Sequence, residues 1–394
     1  MRISTSQMFN SNTSSILRHQ ADTQKSLEQI SSGKRVNTAA DDPIASKTID
    51  NFNQQNNLIE QFLKNIDYAE GRLANAESSL GEAESLSRNI KDNMLKMNNG
   101  TRSQDDLDAI AKDLRSDLDA LMSIANSKDE SGNFVFAGFN NASEPFSFTN
   151  TDPRQIQYAG DGNIKQSMVA EGVLLQTNIP GSEAFMNGAN ALGDYSVNYQ
   201  AGQTGEFQVT AANIDASAAS PAASYSLKFQ DDGAGGLEVL VNGTTPITFE
   251  NPLDIGDVTL EFEGTPAIGD EISLSQQSSI SIFDTVEQAI SLAESGEMQN
   301  PNGQAEMAQL LDNINQGIDQ ISTARSVAGV NLKSLETYNS QHEDAKLVNT
   351  SAQAKLEDLD MAEAITELQK SQVALQATSS LFSRVSSASL FDYL

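Results

Sequence analysis

Ile59-Glu60-Gln61-Phe62-Leu63-Lys64-Asn65-Ile66-Asp67-Tyr68-Ala69 opens a stretch in which apolar or small residues return every three or four positions. The series runs Phe62, Ile66, Ala69, Leu73, Ala76, Leu80, Ala83, Ser87, Ile90, Met94 and Met97. Such spacing is the seam of a heptad helix. At 1.5 Å of rise per residue, residues 59–97 would form a rod about 58 Å long. Bulky side chains alternate with alanines along it, which suits the close approach of a second helix. Asn99-Gly100 ends the pattern, and Ser103 with Asp106 reads as the capping pair of a further helix carrying Leu107, Ile110, Leu114, Leu118 and Leu121.

Downstream the pattern changes twice. Phe134-Val135-Phe136-Ala137-Gly138-Phe139 is too aromatic and β-branched to continue a helix and predicts a strand or hairpin. Alternating runs follow at 206–210, 225–229 and 258–262, separated by Gly, Asn, Asp and Pro turns. Residues 134–280 carry 18 acidic and three basic side chains, half of the whole chain's excess of −30, as befits a solvent-facing insert. Helical periodicity returns after Phe283 through Met307, Leu311, Ile314, Ile318, Ile321, Ala328, Leu332 and Leu335, interrupted by Arg325.

Both ends are sparse versions of the same pattern. The register Phe9, Thr13, Ile16, Gln20, Thr23, Leu27 and Ile30 places polar residues at three core positions. The last helix carries Met361, Ile365, Leu368, Leu375 and Phe382, with Gln372 and Ser379 diluting the seam. Segments with so little to bury do not offset a backbone ordering cost of roughly 1–2 kcal/mol per residue, so 1–40 and 350–394 are expected to be mobile until a partner supplies surface. Their net charges, +3 and −3, are weakly complementary. The expected fold is α+β: a long antiparallel helical bundle or coiled coil built from both termini, with a β-rich domain inserted. The expected divisions are 1–50, an assembly helix and loop; 51–133, the first part of a helical rod; 134–280, the insert; 281–349, the returning rod; and 350–394, a second assembly helix.

Composition narrows function. The chain of 394 residues exceeds what one core usually organises. Its charge disfavours nucleic acid and anionic membranes as partners. Absence of cysteine excludes disulfides and thiolate chemistry. The opening residues lack the apolar run of a secretory signal, and no stretch of about 18 apolar residues occurs, so neither membrane insertion nor conventional secretion is expected. His19 and His342 have no neighbouring ligand spacing or nucleophile motif and read as solvated or helix-packing residues. Asp105-Asp106-Leu107-Asp108 reads as a helix start, and Asp161-Gly162-Asn163 and Asp231-Asp232-Gly233 as turns, since neither turn has the later glutamate of a calcium loop. No enzyme, cofactor or metal is therefore expected.

A specific marker follows the first helix: Ser31-Ser32-Gly33-Lys34-Arg35-Val36-Asn37-Thr38-Ala39-Ala40-Asp41-Asp42-Pro43-Ile44-Ala45. Gly33 can end one helix, Asp42 can cap the next, and Pro43 can occupy its first turn. Together with Leu375-Gln376-Ala377-Thr378-Ser379-Ser380, this loop resembles the paired terminal regions of the bacterial flagellin superfamily. Met1 to Phe9, Asn133-Phe134-Val135-Phe136-Ala137-Gly138-Phe139 with Pro145-Phe146, and the ending Ser389-Leu390-Phe391 are similar to the superfamily's hook–filament junction branch. The resemblance covers about 1–150 and 281–394; the middle is generic.

The resemblance implies a structural subunit of the bacterial flagellum, exported through the flagellar type III apparatus and lying outside the cell between hook and filament. Implied partners are neighbouring copies, the other junction protein, flagellin and an export chaperone. Candidate assembly residues are Phe9, Ile16, Leu27, Ile30, Lys34, Arg35, Asp41, Asp42, Pro43, Leu368, Leu375 and Phe382. A flagellin filament subunit and a surface binding module carried on helices are the alternative readings.

Overall fold

The structure, a computed structural model, describes residues 2–100, 102–149, 154–216, 218 and 220–391, and the side chains of these except 2–6, 245 and 385–391. The motifs that begin at Met1 and end at Phe391 therefore fall partly outside the described residues. The described residues form six α-helices: α1 Arg2–Ser32, α2 Pro43–Met97, α3 Gln104–Ala125, α4 Ile282–Ser295, α5 Pro301–Glu357 and α6 Met361–Phe391. The strands between α3 and α4 are β1 Phe146–Phe148, β2 Ile156–Tyr158, β3 Gln166–Ala170, β4 Val173–Gln176, β5 Gly188–Ala189, β6 Tyr195–Tyr199 and β7 Phe207–Ile214. They continue as β8 Ser224–Asp231, β9 Leu237–Val241, β10 Thr245–Thr248, β11 Leu253–Asp254, β12 Val258–Gly264, β13 Glu271–Gln276 and β14 Ser279–Ile280. The chain forms two compact units, 1–64 with 339–394 and 65–338, so α2 and α5 each contribute to both.

Within residues 65–338, the seam of α2 is buried from Ile66 to Met97, and it packs with α3, α4 and the first part of α5 around one core. The helix starts are set locally. Ser103 accepts from the Asp106 amide while the Asp106 carboxylate reaches back to Ser103, the expected capping box. Ser281 caps α4. Arg325, the polar interruption of the α5 seam, lies over Gly81 and pairs with Glu77 at 2.8 Å and Glu84 at 3.3 Å. A Cβ at residue 81 would already touch the guanidinium carbon at 3.4 Å, so the glycine leaves room for the interruption that a longer side chain would fill.

The strand-rich stretch divides between two cores. Phe146, Ile156, Val169, Ile179 and Phe185 join the helical core, where Phe146 meets Phe185 and Phe283 edge-on or tilted. The later strands form a five-stranded sheet, β10-β9-β8-β13-β6, and a three-stranded sheet, β11-β12-β7. Every pairing in them is antiparallel. Alternate residues point inward, so Tyr225, Leu227 and Phe229 of β8 share a separate core with Val258, Leu260 and Phe262 of β12.

The expected strand or hairpin at 134–139 is reduced to a single antiparallel bridge. Phe134 makes an isolated bridge to Lys128, and the rest is a tight loop. Its aromatic and β-branched residues, Phe134, Val135 and Phe136, are all buried, and pairing stops at the bridge to Lys128. The Asp161 carboxylate accepts the Phe139 and Asn140 amides and so fixes the turn after Gly138, whose φ is +71°.

Candidate assembly surface

In the unit formed by 1–64 and 339–394, α1 and α6 run antiparallel. Phe9 meets Phe382 with ring centroids 4.9 Å apart near one end of the pair. Lys34 forms a backbone bridge to Asp358 near the other. The line on α1 that faces inward passes through Thr13, Ile16, His19, Thr23, Ser26 and Ile30, all half-buried. The expected register therefore holds at Thr13, Ile16, Thr23 and Ile30 but slips at Gln20 and Leu27. His19 and Ser26 take the places expected for Gln20 and Leu27, so the inward line keeps its seven-residue repeat but steps three residues, not four, from Ile16 and Thr23. Leu27 is left 50% exposed. On α6, Leu368, Leu375 and Phe382 are half-buried, Ile365 is exposed, and Ala364 packs most deeply.

The marker loop is built as its residues dictate. Gly33 adopts φ +73°, and its amide donates to the Gln29 carbonyl at 2.8 Å, ending α1. Asp42 caps α2 by accepting the Ala45 amide at 3.0 Å, and Pro43 is the first helical residue. Asp41 gathers the Thr38 amide and hydroxyl and a 2.8 Å ion pair from Lys25. The Lys25 hydrogen bond, then the Thr38 amide, hold its carboxyl down at about 2. The Asp42 carboxyl is also lowered, chiefly by the Ala45 amide.

This loop latches onto the turn between α5 and α6. The Arg35 amide donates to the Glu357 carbonyl at 2.6 Å, its guanidinium donates to the Leu356 carbonyl at 2.8 Å, and the Leu359 amide donates to the Gly33 carbonyl at 3.0 Å. Lys34 pairs with Glu357, and Arg35 lies 3.5 Å from Asp42. The cations of both pairs are half exposed, so the pairs contribute little by themselves; the backbone bonds set the register. Beneath them Val36, Ala45 and Ile49 form a small core with Leu356. Asp360 caps α6 through the Ala362 and Glu363 amides.

The structure thus brings Phe9 to Phe382, and Lys34 and Arg35 to Leu356, Glu357 and Asp358. Pro43 is exposed beside Ile44, which is 82% exposed. Apolar side chains also lie open on both terminal helices: Leu17 is 61%, Val373 65% and Leu381 58% exposed. Glu357 and Leu356 carry no signal in the sequence, whereas Asp360 with Glu363 is a readable helix start. His342 stacks on Phe62 at 5.4 Å, a packing role. Among the described residues no group of three metal-binding side chains gathers, and no helix is long and apolar enough to cross a membrane.

The bacterial flagellin N-terminal helical region matches residues 3–141, and the flagellin C-terminal helical region matches residues 311–394. The two matched regions hold the paired ends and much of the helical core, and the chain belongs to the bacterial flagellin superfamily. Within it, the chain is 36% identical over 146 residues to flagellar hook-associated protein 3 of Salmonella typhimurium, covering 37% of this chain and 46% of that protein. The match thus spans about half the length of that relative. The crystal structure of flagellar hook associated protein-3 from Legionella pneumophila superposes with a TM-score of 0.68 at 25% identity, covering 78% of this chain and 98% of that one. Flagellin D of Vibrio anguillarum is 24% identical over 386 residues, 93% of this chain and 91% of that protein.

Proposed function

We propose that the chain is a non-catalytic structural adaptor of the bacterial flagellum, joining hook to filament through α1 and α6. The observation that carries this reading is the terminal pair itself. Two helices of 31 residues each bury few large side chains against one another and leave Leu17, Leu27, Val373 and Leu381 open. Such a pair is marginal alone and gains stability when neighbouring subunits cover it. The outer parts of α1 and α6, beyond the latch of Gly33 to Val36 with Leu356 to Leu359, are accordingly mobile in the free chain and order on assembly. The twelve candidate residues divide into helix contacts, Phe9, Ile16, Ile30, Leu368, Leu375 and Phe382, the open Leu27, and a loop, Lys34 to Pro43, that fixes where the ends meet.

The likeness to hook-associated protein 3 supports the junction over the filament role. Partners are then adjacent copies, the other junction protein, flagellin, and a chaperone that covers α6 during export to the cell exterior. In domain terms, 1–50 and 350–394 are the assembly ends, 51–133 and 281–349 the rod, and 134–280 the insert, whose residues up to Phe185 pack on the rod and whose residues from Leu192 have their own core. Electron microscopy of the purified chain under conditions that polymerise flagellin tests the choice between roles. Short oligomers or monomers are expected; long homopolymers would make this a filament subunit.

A further inference from the structure

Asn-Gly is the dipeptide in which a peptide nitrogen most readily attacks the preceding side-chain amide, because glycine has no Cβ to block the approach. The chain has four of them, at 99–100, 187–188, 242–243 and 302–303. As dipeptides they are alike, but the fold separates them. Asn302 is buried in α5, and a Cβ on Gly303 would lie 2.1 Å from the Glu297 carbonyl oxygen. Asn242 leads from β9 into β10 with φ +51° and is tied twice to Ser226 of β8. Its amide donates to the Ser226 carbonyl at 2.8 Å, and its Oδ1 accepts the Ser226 amide at 2.9 Å. Gly188 is buried in β5, paired with Ile280 of β14.

Asn99 and Gly100 are held differently. They lie between the end of α2 at Met97 and the Ser103 cap of α3, in neither helix, and both are exposed. The Asn99 carbonyl accepts the Arg102 amide at 3.1 Å, a bond confined to the turn itself. A Cβ on Gly100 would meet one described atom within 4 Å, Oε1 of Gln299 at 3.7 Å, so there is room for the ring that the attack closes. We propose that Asn99 is the first site of spontaneous deamidation in the folded chain. The Gly100 nitrogen bonds to Asn99 Cγ, the Cγ–Nδ2 bond breaks, and ammonia leaves with the Gly100 amide proton. Water then opens the cyclic imide at either carbonyl, leaving aspartate or isoaspartate with no change of oxidation state. Either product places a negative charge just beyond the C-terminus of α2, where the helix dipole disfavours it. Isoaspartate also adds a carbon to the main chain ahead of the Ser103 cap.

Incubation of the full chain in mildly alkaline buffer, followed by digestion in acid and mass spectrometry of the four Asn-Gly peptides, tests this. In the folded chain the Asn99 peptide should exchange ammonia for water at least about tenfold faster than the other three, whose segments must first open locally. In guanidinium chloride the four rates should converge, because only the dipeptide then matters. Gly100 is not left-handed, so Gly100→Ala is tolerated by the backbone; it should slow conversion at Asn99 several-fold and leave the other sites unchanged. Four outcomes would each overturn the proposal: an intact Asn99 in a folded chain whose denatured form converts, another Asn-Gly keeping pace with it in the folded chain, an equal lead for Asn99 after denaturation, or an unchanged rate in Gly100→Ala.

Discussion

Replacing Gly33 by alanine probes the latch that joins the two ends of the chain. Gly33 holds φ +73°, and a Cβ added there would meet nothing within 4 Å. The cost is therefore conformational, not steric crowding: an L-residue in the left-handed region is destabilised by roughly 1–2 kcal/mol. Two bonds depend on that conformation, the Gly33 amide to Gln29 at 2.8 Å and the Leu359 amide to the Gly33 carbonyl at 3.0 Å. If opening of the latch relieves the strain, the Leu359 and Arg35 amides should exchange with solvent about 5- to 30-fold faster in Gly33→Ala. Gly33→Asn should fall between alanine and the parent, because asparagine tolerates this region better than other side chains. Amides of α3 should be unaffected. Unchanged exchange at Leu359 in Gly33→Ala, or asparagine costing as much as alanine, would refute the reasoning.

Leu80 is fully buried in the helical core, so Leu80→Ala should lower unfolding stability by about 2–5 kcal/mol in urea titrations; a loss under about 1 kcal/mol would mean the seam is loosely packed. Leu375→Asp should leave the β sandwich folded, with its strand circular dichroism intact, while blocking incorporation into flagella; normal incorporation would remove α6 from the assembly surface. Asp41 has its carboxyl lowered from 3.8 to about 2, so its contribution is fully present above the ordinary value and is lost as pH falls through about 2. Carbon-13 NMR titration should show that low midpoint, moving up toward 3.8 in Lys25→Met; an ordinary midpoint in the parent would contradict the ion pair.

Periodicity alone makes the helical rod legible. The three-four recurrence from Phe62 to Met97 is a local property of the chain, and every one of those positions is buried. Caps at Ser103 and Asp42 are readable for the same reason, since donor and acceptor lie within four residues. The run 134–139 misleads because β propensity measures a fit to a half-buried surface, which a packed loop also offers. Leu27 falls one residue from its expected place, since a diluted seam pins its register weakly. The latch to Leu356 and Glu357 joins residues far apart in the chain, where spacing carries no information.

Deletion of the gene, with electron microscopy of the cell surface and assay of the medium for flagellin, tests the adaptor role most directly. The account predicts hooks without filaments and flagellin shed into the medium. Intact filaments in the deletion strain, or filament loss with no flagellin released, would contradict it.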